Sequence, residues 1–305
     1  MLDTRKIWTA LLKAERKARS SKAKRFIASP VTYPFLMGFN QLYYPVFRRG
    51  LFVETDTFFG VPMKTLLPAG TDIVLNGIKS HDAEIRLTKF LAVQLKGGDT
   101  FIDIGAHYGY YSLLASVLVG ENGHVYAVEA SLHSYEILRA NTVHATNITT
   151  YHNAAGETPG EITFYEYPGP FAEYNTIVKD AYEGAAWFKK VKQTINKVQT
   201  IVLDNLIADN EISKAIIKID VEGGELSVIK GLSQSLREKD LTIVMEYLLS
   251  KDLHSPHHQA VEFMTEQAYN VYAIDKDGVI VPVTNVDQYL EKSGLDSDNL
   301  VFKKD

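Results

Sequence analysis

The chain has 305 residues, 46% hydrophobic and 23% charged, a composition typical of a folded globular protein and a length that allows one large domain with an extension. With no cysteine, it has no disulfides, thiolate metal sites or cysteine nucleophiles. Residues 1–50 carry eleven Lys or Arg against Asp3 and Glu15, so a net charge of −5 hides a remainder of −14, and that acidic body argues against a nucleic-acid substrate.

No apolar run reaches the roughly 18 residues needed to span a bilayer, and no secretory leader is visible, so a cytoplasmic location is expected. In chain order, residues 3–28 read as a basic helix, which Pro30 and Pro34 end. The stretch 33–47 is rich in aromatic and aliphatic residues. Cations beside such a stretch have the composition of a membrane-surface contact, so peripheral association at the inner membrane face is one reading of residues 1–50. A solvated helix followed by a segment packed on the body is the other. Residues 51–98 read as an N-terminal cover, with short antiparallel strands over 51–75 and a helix at 82–95.

From residue 99 the period alternates between strand and helix, which predicts a parallel, doubly wound sheet. Strands fall at 100–104, 124–128, 149–153, 215–219, 241–245, 270–274 and 299–302, with helices at about 108–119, 132–145 and 256–268 and one running on to about 236 after Asp220. The rhythm breaks at 157–200, an insertion with strands at 161–165 and 199–203 and an irregular loop between them. A loop of that length is usually functional or mobile.

The chemistry concentrates where strands end. The segment 101–112 (FIDIGAHYGYYS) is an apolar strand running into an Asp-x-Gly-x-x-x-Gly turn, which places Asp103 and Gly105 at the carboxyl edge of the sheet, where α/β folds bind ligands. Gly105 and Gly109 allow backbone to approach a cofactor closely. A nicotinamide dinucleotide needs Gly-x-Gly-x-x-Gly for its pyrophosphate. The four-residue interval seen here instead favours a cofactor without one, S-adenosylmethionine (SAM). Glu129 ends the next strand, where a carboxylate accepts from both ribose hydroxyls. Capping of the following helices is the competing role for Asp103 and Glu129.

Asp103, Glu129, Asp220 and Glu246 all close strands, so four carboxylates face one edge. Methyl transfer from a sulfonium needs an in-line nucleophile and, for a hydroxyl, a proton acceptor, which makes Asp220 and Glu222 the candidates for the reacting centre. Lys218 is placed to pair with one of these carboxylates. His254 is a further candidate base, although His254, His257 and His258 at a helix start suit a solvated cap. Asn153 could approach the adenine edge or satisfy a turn. No metal-ligand set is defined by the spacing, and a divalent ion on these oxygens is an unsupported option.

The motifs IDIGAHYGYYS (102–112), VYAVEAS (125–131), NAAG (153–156), LDNL (203–206) and IKIDVEGGELSVIKG (217–231) together resemble the FkbM-type SAM-dependent methyltransferases over about residues 80–250. The resemblance implies a class I methyltransferase (Rossmann-like) fold with a seven-stranded sheet spanning 99–305, and O-methylation of a hydroxyl on a sugar of a glycan, glycolipid or glycosylated metabolite. It implies a SAM site of Asp103, Gly105, His107, Gly109, Glu129, Ala130 and Ser131 with Glu84 near it, and Asp220 and Glu222 at methyl transfer, leaving S-adenosylhomocysteine (SAH) as product. A silent SAM-fold binding module is the alternative, and an NAD-dependent oxidoreductase a weaker one.

Overall fold

The computed structural model describes residues 4–167, 171, 174–179, 183, 184, 187, 188, 191–250, 252 and 254–304. Part of the irregular loop predicted within 157–200 lies outside the described residues. The expected single basic helix is two, Thr4–Ala18 and Lys22–Ala28, because Ser21 caps the second by accepting from the backbone N–H of Lys24. The first helix buries Leu11 and Ala14 in the same apolar cluster as Phe90, Phe101 and Val125. Lys89 reaches Glu15 at 2.8 Å, tying that helix to the one at Asp82–Gln94. The aromatic stretch is helical from Thr32 to Phe47 and includes one π turn at Phe39–Tyr43.

Strands β1 (Leu51–Asp56) and β2 (Pro62–Leu67) form the expected antiparallel pair. Residues 71–75, expected to be extended, belong instead to a helix at Thr71–Asn76. Asp72 drives this departure: its Oδ1 accepts from its neighbour Ile73 N and its Oδ2 from Ser80 N, fixing both ends of the turn.

The body follows with β3 (Thr100–Ile104), β4 (His124–Glu129), β5 (Ile148–His152), β6 (Ala154–Ala155), β7 (Gly160–Glu166) and β8 (Thr194–Ile201), and then β9 (Lys214–Ile219), β10 (Asp240–Leu248), β11 (Asn270–Ile274), β12 (Ile280–Pro282) and β13 (Ser297–Lys303). The main sheet has the order β12-β11-β13-β10-β9-β3-β4-β5, and β6, β8 and β7 form a small separate sheet. Strands β5, β4, β3, β9 and β10 run parallel, while β13 lies antiparallel between β10 and β11. This sheet has eight strands where seven were expected. The extra one, β12, is an edge strand that pairs only with β11 over three residues and ends at Pro282, too short to carry an alternation signal.

The parallel strands are buried on both faces, which is why they read as continuous apolar runs. Ile102, Ile104, Ile217, Ile219, Ile243 and Met245 pack into one cluster, while Phe101, Val125, Val244 and Val301 face another. The chain leaves β3 toward β4 and β5, then returns to build β9 and β10 on the other side of β3. The β3/β9 boundary is therefore the topological switch point, where the helices on opposite faces diverge and leave a crevice.

Asn141, in the helix Leu132–Thr142, joins three parts of this frame. Its Oδ1 accepts from Lys64 N at 2.7 Å, and its Nδ2 donates to Lys64 O at 3.0 Å and to Tyr108 O at 2.7 Å. Asn141→Ala is expected to cost about 1–3 kcal/mol through the orphaned backbone groups, read as a lower urea midpoint with unchanged slope. An unchanged midpoint would show that water replaces all three bonds.

Candidate active site

A cavity of about 700 Å³ lies at the carboxyl ends of β3, β4, β9 and β10. Glu84, Asp103, Gly105, His107, Glu129, Ala130, Asn153, Asp220 and Glu222 all line it, so most of the residues singled out in sequence come together. Three do not line it. His254 is exposed, its carbonyl accepting from Gln259 in the turn before the helix Pro256–Glu266. Ser131 caps the helix Leu132–Thr142, its Oγ accepting from Ser134 N. Gly109 sits at φ +87° before the helix Tyr110–Val119, and a Cβ there would lie 2.6 Å from Leu138 Cδ1. The left-handed backbone is what favours glycine there, since Leu138 could shift its terminal methyl. The neighbouring histidines also depart from a solvated cap: His257 is buried and His258 Nε2 lies 2.8 Å from Asp287 Oδ2.

Gly105 lines the cavity, yet the space its Cβ would need belongs to the protein. With φ at +77°, a Cβ would meet the Asp220 carbonyl at 1.8 Å, so glycine here lets β3 and β9 close on each other and brings Asp103 beside Asp220.

Glu129 is almost fully buried and already oriented. Its Oε2 accepts from His107 N at 2.7 Å and its Oε1 from Ser131 N at 2.8 Å, and His107 adopts a left-handed φ of 51° that turns its N–H inward. Burial pushes the Glu129 carboxyl up to about 7, against the pull of these two N–H groups. Each oxygen retains a lone pair for a further donor. His107 stacks on Tyr108 with ring centroids 3.7 Å apart, and burial holds its imidazole down to about 3, so it is neutral.

The opposite wall is an ionic network. Lys218 Nζ lies 2.9 Å from Asp220 Oδ2 and 3.9 Å from Asp103 Oδ1, and Lys79 Nζ lies 3.1 Å from Glu84 Oε1. Tyr111 OH also donates to Glu84. Burial opposes the charge on Asp220, but Lys218 and Lys79 outweigh it and hold this carboxyl below the usual carboxylate range. Burial also opposes the charge on Lys79, which Glu84 and Asp220 restore and raise. Glu246, expected to close its strand, lies within β10, which runs on to Leu248 because β13 pairs alongside it, and it goes the other way: burial and the Asp220 charge push it up to about 7. Oxygens of Asp220, Glu222 and Glu246 lie within 4.8 Å of one another, near enough to surround a cation.

Lys79 and Tyr111 escaped the sequence reading. Lys79 lies in a short connection with no motif around it, and Tyr111 sits among other aromatic residues at the start of an apolar helix, where its sequence reads as core. A lysine just before a helix carrying Glu84 in its first turn is the one available signal. Glu222 and Gly223 both take left-handed φ values, 49° and 93°, and Thr176 Oγ1 donates to Glu222 O at 2.6 Å, so the insertion packs on the loop after β9. Asn153 lines the cavity while its Nδ2 donates to Gln199 O at 3.2 Å, which serves the small sheet.

The strand order and the acid-lined rim at the switch point define a Rossmann-like nucleoside-cofactor fold of the class I methyltransferase type. The methyltransferase FkbM domain matches residues 103–271, more than half of the chain, and the chain belongs to that family. It is 26% identical over 169 residues to hexuronic acid methyltransferase AglP of Haloferax volcanii, a match covering 55% of this chain and 64% of that protein, just under two thirds of its length. Among solved structures it is similar to a precorrin-6y C5,15-methyltransferase of Geobacter metallireducens, with 16% identity, 73% of this chain and 88% of that one covered, and a TM-score of 0.39. It is also similar to an O-methyltransferase of Bacillus cereus in complex with SAH, with 14% identity, coverage of 70% and 78%, and a TM-score of 0.38. At these scores the fold is read from the strand order alone.

Proposed function

We propose that this protein is a SAM-dependent O-methyltransferase whose acceptor is a sugar hydroxyl on a glycan, glycolipid or glycosylated metabolite. The observation that carries this reading is the buried Glu129 at the end of β4, held by two backbone N–H groups with lone pairs facing the cavity. The cavity fits the cofactor in two further ways. Asp103 Oδ1 and His107 Nε2 are buried without hydrogen-bond partners, and both belong to its lining. A polar nucleoside ligand offers groups to such atoms, whereas an apolar one would leave them stranded.

Bound SAM supplies an activated methyl on a sulfonium. Glu129 would hold the ribose, with Asp103 and His107 beside it. Asp220, kept ionised by Lys218 and Lys79, offsets positive charge in the chamber and leaves proton transfer to a better matched group. That group is Glu246, whose carboxyl at about 7 suits removal of a hydroxyl proton near neutral pH. Glu222 completes the acidic wall and relays the proton toward solvent. The related hexuronic acid methyltransferase supports a sugar as the acceptor class.

Calorimetry with SAM, SAH and NAD, followed by transfer of labelled methyl to neutral and uronic sugar acceptors, tests this reading. SAM and SAH should bind and NAD should not, with label fixed on the sugar as an ether. Binding of SAM without transfer to any sugar would favour a silent SAM-binding module. Label lost to mild base as an ester would move the acceptor from hydroxyl to carboxylate.

Lys218 and Lys79 already bring positive charge to the acidic cluster, so a divalent ion is not needed to stabilise it. EDTA is therefore expected to leave the rate unchanged. A rate that falls with EDTA and returns with Mg²⁺ would assign Asp220, Glu222 and Glu246 to a cation.

A further inference from the structure

The helices over residues 22–47 present two unlike faces. Leu36 and Phe39 are buried against Leu67 and Leu75. Away from that contact, Val31, Ile27, Leu42 and Val46 are 81%, 77%, 73% and 71% exposed, the four most exposed large apolar side chains among the described residues. Phe26, Phe35, Tyr43 and Phe47 are exposed beside them, with the rings of Phe35, Phe39, Tyr43 and Phe47 following one another at 4.8–6.3 Å. Water gives no return for such an apolar surface on a protein with a full core elsewhere.

The charge around this face is of one sign. Lys22, Lys24, Arg48 and Arg49 are exposed at its two ends, and no Asp or Glu occurs between Glu15 and Glu54. Apolar and aromatic side chains rimmed by cations match an interface of acyl chains under anionic headgroups. No helix among the described residues is long and apolar enough to cross a membrane, which fits a helix lying in the interface plane. A symmetric contact between two copies would set these cations against each other.

The same segment reaches the cavity. Arg25 lines it, with a buried Nε that has no hydrogen-bond partner, and Asn40 Nδ2 donates to the Oγ1 of Thr71, another lining residue, at 3.0 Å.

We propose that residues 22–49 dock the protein on an anionic lipid bilayer, with the Arg25 wall of the cavity beside the headgroups. The consequence, which rests on the methyltransferase reading, is that the acceptor is borne by a lipid and that Arg25 meets its anionic group. The docking itself does not rest on that reading.

Co-sedimentation of the full chain with phosphatidylcholine vesicles, with and without phosphatidylglycerol, tests the docking. The parent should sediment only with the anionic vesicles, and less so at high salt. The Val31→Asp/Leu42→Asp/Val46→Asp variant should bind them about tenfold more weakly or worse. Replacing Lys22, Lys24, Arg48 and Arg49 by Gln should cost about fivefold for each cation removed. Affinity for SAH, unchanged in these variants, reports that each is folded, and SAH binding failing in the parent would count against the methyltransferase reading alone. A parent that stays in the supernatant, or an apolar variant that sediments like it, overturns the proposal. So does a parent dimer that the apolar variant dissolves without any vesicle binding, which would assign the face to a second copy.

Discussion

Glu246→Gln is expected to lower kcat by about 10²–10⁴-fold while leaving SAH affinity close to that of the parent. Glu246, within β10 near its carboxyl end, lines the cavity with its carboxyl pushed up to about 7, first by burial and then by the charge of Asp220. A base must be unprotonated to act, so in the parent kcat should fall about tenfold for each pH unit below 7 and level off above it. The variant should lose that limb of the profile along with the rate. Asp220 is the nearer sequence candidate, but Lys218 at 2.9 Å and the Lys79 charge hold it ionised, which makes it a weak proton acceptor. Asp220→Asn takes from Lys218 its 2.9 Å partner and leaves it only Asp103 at 3.9 Å, while Lys79 keeps Glu84, so a stability loss of about 3 kcal/mol is expected, the low end for a broken buried pair. A normal rate in Glu246→Gln with an inactive but folded Asp220→Asn would reverse the two roles.

Glu129→Gln is expected to weaken SAM and SAH about a hundredfold, since two hydroxyls lose a charged acceptor at about 1.5 kcal/mol or more each. The Gln amide also turns an N–H toward one of the two backbone donors now held, so a stability loss of about 1–3 kcal/mol should accompany it. Burial raises the Glu129 carboxyl from its ordinary value of about 4.5 to about 7 in the folded protein. The folded state therefore binds more protons than the unfolded one between those values, and this group's contribution to stability, present below about 4.5, is lost as pH rises to 7. Ribose hydroxyls donating to the ionised carboxylate pull the other way. Binding of SAH should then release a proton below pH 7, and affinity should rise with pH up to about 7 and flatten above it. Glu129→Gln should show neither the proton release nor the slope.

The part of the site legible in the sequence is the part built on strand ends. A parallel strand buried on both faces is an unbroken apolar run, so an acid at or near its end stands out, as Asp103, Glu129, Asp220 and Glu246 do. What stayed hidden depends on contacts between distant segments. Lys79 enters from the connection before the helix Asp82–Gln94, and although Glu84 is local to it, it comes within the field of Asp220 only once the cover has packed on the body. The packing reason for Gly105 is hidden in the same way, since the carbonyl that forbids a Cβ lies more than a hundred residues away at Asp220. His254 looked like a base because it follows β10, but the chain turns away there to start a helix capped by Ser255. The LDNL motif proved structural: Asp204 accepts from Gln234 N and Ser235 N at 2.9 and 2.8 Å, closing the turn before the helix Ser235–Glu238.

A crystal structure of the complex with SAH tests the placement of the cofactor most directly. Both ribose hydroxyls are expected within hydrogen-bond distance of Glu129, with the sulfur turned toward the chamber of Asp220 and Glu246. An adenosine bound away from the β4 end, with Glu129 still accepting only from His107 and Ser131, would contradict it.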